Sequence, residues 1–241
     1  FYFLFWSIFY SVDLFLYLML YFVHGLNGSP KEWKVFVDFF TKNGFECEAI
    51  DLKTGMNLRR THFNDYVEKV GSIVSNEDIL IGHSMGGLIV QKVAEGYSLK
   101  AGVCICPAPP TGIRMKTVPW WRQVRYLPFM LFGIPFKPSF GLVKDVFLTG
   151  WDEAKQREVY ERLQKQSSHV SFEVMKQKIP VNEKMINAPL YFIGRKQDVT
   201  IPVDVVKKVA KKYDAEYSMV SGNHYIFFDW QKIAEKILSF I

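Results

Sequence analysis

The sequence predicts an α/β fold, a mostly parallel central sheet with helices on both faces, and three observations predict it. Short strand-like runs alternate with helical stretches at the spacing of βαβ units, which argues a parallel sheet covered on both sides. One junction, Gly82-His83-Ser84-Met85-Gly86-Gly87, has an apolar run before it and a helical pattern after it. The length, 241 residues, is enough for one large domain with a buried sheet and too short to divide comfortably into two.

The elements follow in order. Tyr17 to Val23 suits a central strand, and His24-Gly25-Leu26-Asn27-Gly28 forms a glycine-bearing loop after it. Ser29-Pro30-Lys31-Glu32 is a helix start, a capping box with proline at the first helical position. That helix runs through Trp33, Phe36, Val37, Phe39 and Phe40 to a stop at Asn43-Gly44. Cys47 to Ile50 is a short strand ended by Asp51-Leu52, and Phe63 to Val74 is a helix with Phe63, Tyr66, Val67, Val70 and Val74 on one face. Asp78 to Ile81 is the strand into the glycine-flanked serine, and Met85, Leu88, Ile89, Val93 and Tyr97 mark the helix after it. Ala101 to Cys106 is the next strand, closed by Pro107-Ala108-Pro109-Pro110.

From about Thr111 to Asn187 the alternation stops. An aromatic, proline-rich part with Trp120, Trp121, Tyr126, Phe129, Phe132 and Phe136 precedes a charged helix, Asp152 to Gln166. Regular architecture then resumes with strands at Pro189 to Gly194 and Ala215 to Val220, and helices at Val203 to Lys212 and Trp230 to Phe240. The organisation expected is a core of residues 15–110 and 188–241, an inserted block 111–187, and an apolar segment 1–14.

Composition narrows the function classes. Lys and Arg exceed Asp and Glu by 30 to 24, yet no basic run or nucleic-acid motif appears, so no nucleic-acid partner is expected. Three cysteines make no disulfide framework; Cys104 and Cys106, two apart in a strand, should point the same way as buried free thiols of a reducing compartment. No Cys/His spacing suggests a metal and no glycine-rich phosphate loop appears, so neither a metal nor a cofactor is expected. Phe1 to Val23 hold one charge, Asp13, and eleven aromatics. Residues 1–14 admit three readings: a truncated signal anchor, an extra aromatic element, or translated upstream AT-rich sequence. The localisation expected is cytoplasmic, with membrane association through this segment as the further option.

A serine between flanking glycines at a strand-to-helix turn has the setting of a nucleophile elbow. Any Cβ beside it would meet the neighbouring strand and helix, and the helix start favours negative charge developing there. A serine hydroxyl needs a histidine base, oriented in turn by a carboxylate. In enzymes built on this junction the chain order is serine, acid, histidine. Only His169 and His224 follow Ser84; His169 lies in the inserted block, so His224, in the loop after the last strand, is taken as the base. Asp198, in the loop after the preceding strand, is taken as the acid over Asp204, Asp229 and Asp51. Backbone N–H groups of Leu26 and Met85 are the expected oxyanion donors.

These residues resemble the α/β-hydrolase superfamily, in its lipase, esterase and lysophospholipase-like branch. The resemblance spans roughly His24 to Ile241 and rests on His24-Gly25, the Ser84 motif, the Asp198 loop ending in Pro202, and Gly222-Asn223-His224 with Phe228-Asp229-Trp230. Asn223 stands where glycine or alanine is frequent, and the usual antiparallel first hairpin is missing. The resemblance implies that nucleophile, acid, base and oxyanion roles fall on Ser84, Asp198, His224, Leu26 and Met85. It also implies a helical lid between the sixth and seventh strand positions of that fold. Between Arg114 and Asn187 there are 13 Lys/Arg against 7 Asp/Glu, so the chain's whole basic excess sits in this block. With its aromatics, that suits an amphiphilic ester with an acyl chain, or an anionic lipid surface, with Trp120, Trp121, Phe129 and Phe132 as pocket candidates. The function expected is ester hydrolysis through an acyl-enzyme. Thioester, amide or C–C hydrolysis, acyl transfer, and a non-catalytic binding module stay as alternatives.

Overall fold

The computed structural model describes residues 18–115 and 119–241. Its described strands are β1 (Met19–Val23), β2 (Glu46–Ile50), β3 (Ile79–His83), β4 (Ala101–Ile105), β5 (Leu190–Arg195) and β6 (Glu216–Val220). They form one sheet in the order β2-β1-β3-β4-β5-β6, with every neighbouring pair parallel. The chain steps outward from β1 to β2, then returns to place β3 on the other side of β1. The direction of winding therefore reverses between β1 and β3, and the carboxyl ends of two such strands open a crevice. That crevice receives the loop His24–Gly28 from β1 and Ser84 from β3.

Three core helices, α1 (Lys34–Lys42), α2 (Phe63–Gly71) and α3 (Met85–Gly96), alternate with the first strands. Five short ones occupy the inserted block: α4 (Trp120–Gln123), α5 (Leu127–Leu131), α6 (Phe140–Val146), α7 (Glu153–Arg162) and α8 (Ser168–Met175). The core closes with α9 (Val203–Lys212) and α10 (Gln231–Leu238). Alternating strand residues divide between two apolar layers. Leu20, Phe22, Ile79, Ile81, Val103 and Ile105 face α1 and α10, where Trp33, Phe36, Phe40, Ile233 and Ile237 are buried. Tyr21, Val23, Leu80, Cys104 and Phe192 face α2, α3 and α9. Each large apolar side chain buried this way contributes about 1.5–3 kcal/mol. Phe36 and Trp33, with ring centroids 5.0 Å apart, anchor the first layer.

Several expectations change. The charged helix is capped by Asp152, whose side chain accepts from the Lys155 N–H, but stops at Arg162 because Leu163 turns extended. Gln166 instead pairs with Phe136 in an isolated antiparallel bridge that closes part of the inserted block. Cys104 and Cys106 do not point the same way: Cys106 has φ 43 and packs in the opposite apolar layer from Cys104. A left-handed residue directly after β4 breaks the two-residue alternation the expectation relied on.

The expectation of membrane association through the N-terminal apolar segment is corrected. Among the described residues no helix is long and apolar enough to cross a membrane. The end of the segment, Met19–Val23, is a central strand whose backbone is paired with β2 on one side and β3 on the other. The readings of residues 1–14, and Tyr17, fall outside the described residues.

Candidate active site

Ser84 sits between β3 and α3 with φ 55 and ψ −116, a backbone that L-residues rarely adopt. The glycines around it are required by contact. A Cβ on Gly82 would meet the Gly86 carbonyl, and one on Gly86 would meet the Val23 carbonyl. The turn is pinned by the Ser84 N–H donating to the Ile105 carbonyl at 2.9 Å and by the Ala108 N–H donating to the Ser84 carbonyl at 3.0 Å. These bonds leave the hydroxyl at the sheet's carboxyl edge.

Three side chains from three loops meet there. Ser84 Oγ is 3.0 Å from His224 Nε2, and His224 Nδ1 is 2.7 Å from Asp198 Oδ2. All three residues are buried. The second carboxylate oxygen of Asp198 accepts from the Thr200 and Ile201 N–H groups at 2.8 and 2.9 Å. Burial pushes the Asp198 carboxyl up, but His224 and these two amides together outweigh it and hold the group below its ordinary value. It is therefore a carboxylate across the neutral range, and it fixes the imidazole with Nδ1–H toward itself and Nε2 free to accept from Ser84. The competitors lie elsewhere. Asp204 is on the exposed first turn of α9 with Lys208, and Asp229 pairs with Arg195. Asp51 accepts from Lys53 and Thr54 in its own turn.

The Leu26 and Met85 N–H groups donate to no described residue, and Leu26 lies with Ser84 along two adjoining cavities. The loop carrying Leu26 is held from the inserted block. Asn27, at φ 60, donates to the Phe136 and Gln164 carbonyls at 3.2 and 2.9 Å, and its own carbonyl accepts from the Gln164 N–H at 2.8 Å. Lys53 Nζ donates to the Gly28 carbonyl and to Gln164 Oε1 at 3.0 Å. His24, behind the loop, is fully buried and donates from Nδ1 to the Gly25 carbonyl at 2.9 Å. Burial, then the nearby charge of Lys53, lowers it to about 4.

Sequence reasoning gave His83 no duty. Its Nε2–H donates to the His224 carbonyl at 3.0 Å, and its ring stands 4.9 Å from that of His224. Burial, then His224, lowers His83 to about 3, so it braces the loop as a neutral ring. Arg195 was also missed: it is buried at the end of β5 and pairs with Asp229 beyond His224. An arginine ending a buried strand is a signal the sequence carries, since such a charge demands a partner.

One group of three metal-capable side chains occurs among the described residues, Cys106, Asp198 and His224, within 4.8 Å of one another. Its donors are engaged: Nδ1 of His224 is taken by Asp198, and burial, then the charge of Asp198, pushes the Cys106 thiol well up, away from the thiolate a metal takes. The arrangement suits proton transfer.

Of the pocket candidates, Trp121, Phe129 and Phe132 line neither cavity beside the serine. A cavity of about 290 Å³ beside Ser84 is lined by Leu26, Ala108, Met115, Phe147, Met175 and Ile201 among others. A smaller one, about 50 Å³, includes Glu32, Val159, Leu163, His224 and Tyr225. Phe129 instead packs with Tyr126 and Phe136 in a separate cluster, while Trp121 and Phe132 are 62% and 68% exposed. The Trp120 side chain falls outside the described structure. In the inserted block, Phe147 is the large aromatic that reaches the site, its ring 6.0 Å from that of His224, and beside it Met115, Val146, Val174 and Met175 line the larger cavity.

Comparison with known proteins agrees with the fold. Residues 20–236 match the family model described as "Alpha/beta hydrolase family". Among curated protein sequences no match is found. Solved structures of similar fold include polyneuridine aldehyde esterase, 17% identical with a TM-score of 0.70, covering 92% of this chain and 98% of that one. A methylesterase from Arabidopsis is 14% identical with a TM-score of 0.70, covering 93% of this chain and 100% of that one. Tomato methylketone synthase I complexed with 2-tridecanone is 15% identical with a TM-score of 0.68, covering 94% of this chain and 98% of that one.

Proposed function

The chain belongs to the alpha/beta hydrolase family, and on that premise we propose that it hydrolyses carboxylic esters through an acyl-enzyme formed on Ser84. The observation that carries the reading is the unbroken line of hydrogen bonds from Ser84 Oγ through His224 to Asp198. The esterases among the similar folds support hydrolysis.

In the proposed mechanism His224 Nε2 takes the Ser84 proton as Oγ bonds to the ester carbonyl carbon. The negative carbonyl oxygen is met by the Leu26 and Met85 N–H groups, a pair of fixed donors of the kind worth ~3–4 kcal/mol each. The carbon–oxygen bond to the alcohol then breaks, and His224 returns its proton to the departing oxygen. Water, deprotonated by the same nitrogen, attacks the acyl carbon; the bond to Ser84 Oγ breaks, His224 returns the proton to Oγ, and the acid is released. Asp198 stays ionised throughout and stabilises the imidazolium.

The larger cavity takes the acyl group, because most of its wall is apolar: Leu26, Ala108, Met115, Val146, Phe147, Val174, Met175, Val199 and Ile201, against Asp145 and Thr200. Several of these come from residues 111–187, which serve as a lid over the site. The test is fluorophosphonate labelling read by mass spectrometry, followed by a panel of esters, thioesters and amides. An adduct on Ser84 with turnover of esters supports the reading; an adduct on another serine removes it. Preference within the panel separates ester hydrolysis from thioester, amide or C–C cleavage and from acyl transfer.

A further inference from the structure

Two cavities diverge from Ser84, and only the smaller includes His224 in its wall. On the acyl-enzyme reading proposed above, the departing alcohol oxygen must sit against His224 Nε2, the group that protonates it. We propose that this smaller cavity receives the alcohol part of the ester, and that Glu32 selects a short alcohol carrying a hydroxyl, of about the size of a glycol.

Size comes first. A single water needs roughly 10–15 Å³ of such space, so the cavity's 50 Å³ holds about three or four non-hydrogen atoms. Most of its wall is apolar, including Val143, Phe147, Leu148, Val159 and Leu163, and this wall would suit any short alkyl group. Among the polar residues that share the wall, Asn27, His83, Ser84, His224 and Tyr225, Glu32 is the one carboxyl. It follows a strand loop that brings it to the cavity, and Gly28 leaves the room: a Cβ there would meet Glu32 Oε2. Oε2 accepts from the Ser29 N–H at 3.1 Å, whereas Oε1 accepts from no described residue. The capping box holds the carboxyl in place with one oxygen spare, an acceptor that a buried ligand hydroxyl can satisfy.

The charges around it favour a neutral guest. Burial raises Glu32 to about 7, against the pull of the Ser29 amide and the positive charges of Lys53 and Arg162. Near neutrality the carboxyl is only partly ionised, with two cations close enough to act on it. A hydroxyl can donate to either form; an ammonium would face both cations.

The experiment compares propyl, 2-hydroxyethyl and 2-aminoethyl esters of one medium-chain acid, each rate divided by that ester's rate with free hydroxide. The first two alcohols match in size, so their ratio isolates the hydroxyl. The native protein is expected to favour hydroxyethyl over propyl by about tenfold in kcat/KM, the value of one such buried hydrogen bond. Glu32→Gln, which keeps an acceptor, should preserve most of the ratio, and Glu32→Met should bring it near one. Circular dichroism and melting temperature establish that each variant is folded, and the native ratio stands without any variant. A native ratio near one, a ratio retained in folded Glu32→Met, or an aminoethyl ester preferred to both would overturn the assignment while leaving Ser84 labelling intact. Absence of a fluorophosphonate adduct on Ser84 would instead take down the underlying reading and this inference with it.

Discussion

Arg195, at the buried end of β5, forms an ion pair with Asp229, and the pair clamps the loop that carries Asp198 against the loop that carries His224. The clamp continues through the backbone. Lys196 N–H donates to the Val220 carbonyl at 2.9 Å and Gln197 N–H to the Gly222 carbonyl at 3.0 Å. Gly222, at φ 120, lies so close to the guanidinium that a Cβ would occupy its place. Removing Asp229 strands a buried cation, but Asp229 itself is 39% exposed, so water offsets part of the loss. Asp229→Asn should therefore cost ~2 kcal/mol in urea unfolding and lower kcat more than it raises KM. A variant of native stability and activity would show that the clamp is idle.

The line from Ser84 to Asp198 predicts an order of damage. Ser84→Ala and His224→Ala should each cost ~10⁴-fold or more in kcat, and Asp198→Asn somewhat less, since it leaves the ring in place with its tautomer unsettled. Asp204→Asn should leave kcat unchanged, because that carboxylate lies on α9 with Lys208. Steady-state kinetics on one activated ester decides all four; a silent Asp198→Asn would move the acid elsewhere.

The cavity walls predict a chain-length experiment. Lengthening the acyl chain should gain up to ~0.8 kcal/mol per methylene in kcat/KM until the larger cavity is full. Met175→Trp, at that wall, should move the optimum to a shorter chain. Phe132→Ser should leave the optimum where it is, because Phe132 is exposed and lines neither cavity. An optimum that follows Phe132 and ignores Met175 would reverse the assignment.

Stability should fall on acidification through two histidines. His24 and His83 titrate near 6.5 in the unfolded chain but stay neutral when folded until about 4 and about 3. Between 6.5 and 4 the unfolded state binds more protons, so unfolding becomes easier as pH drops, by ~2 kcal/mol for each ring between pH 7.5 and 5. Glu32 acts the other way: its folded value is raised to about 7, so its contribution declines as pH rises from about 4.5 to about 7. Urea unfolding at pH 7.5 and 5 should show a shallower acid loss in His24→Asn than in the native chain. Equal losses would mean that His24 is hydrated or charged in the folded state.

The parts legible in the sequence are those governed by local pattern. Two-residue alternation in Leu20 to Val23 and in Ile79 to Ile81 assigns each side chain to one apolar layer, and Gly82, Gly86 and Gly87 mark a turn that no other residue fits. Chain order and loop position also bring Asp198 and His224 to Ser84. The inserted block has no such period. Whether Phe129 or Met175 faces the serine depends on how short helices pack over one another, and aromatic content alone does not encode that direction. Cys106 shows the same limit on a smaller scale, since one left-handed residue after β4 reverses a side chain that alternation would place.

Asn27 has a consequence for engineering. Its amide and carbonyl join the Leu26 loop to Phe136 and Gln164 of the inserted block. The two pieces share a seam rather than a hinge. Grafting another protein's block onto this sheet would therefore change more than the larger cavity. The incoming segment would have to present two carbonyls and an amide at matching positions, or Leu26 would lose its support. Chimeras should be cut inside Phe136 and Gln164, keeping those two residues with the host, so that only residues 137–163 are exchanged as a cartridge.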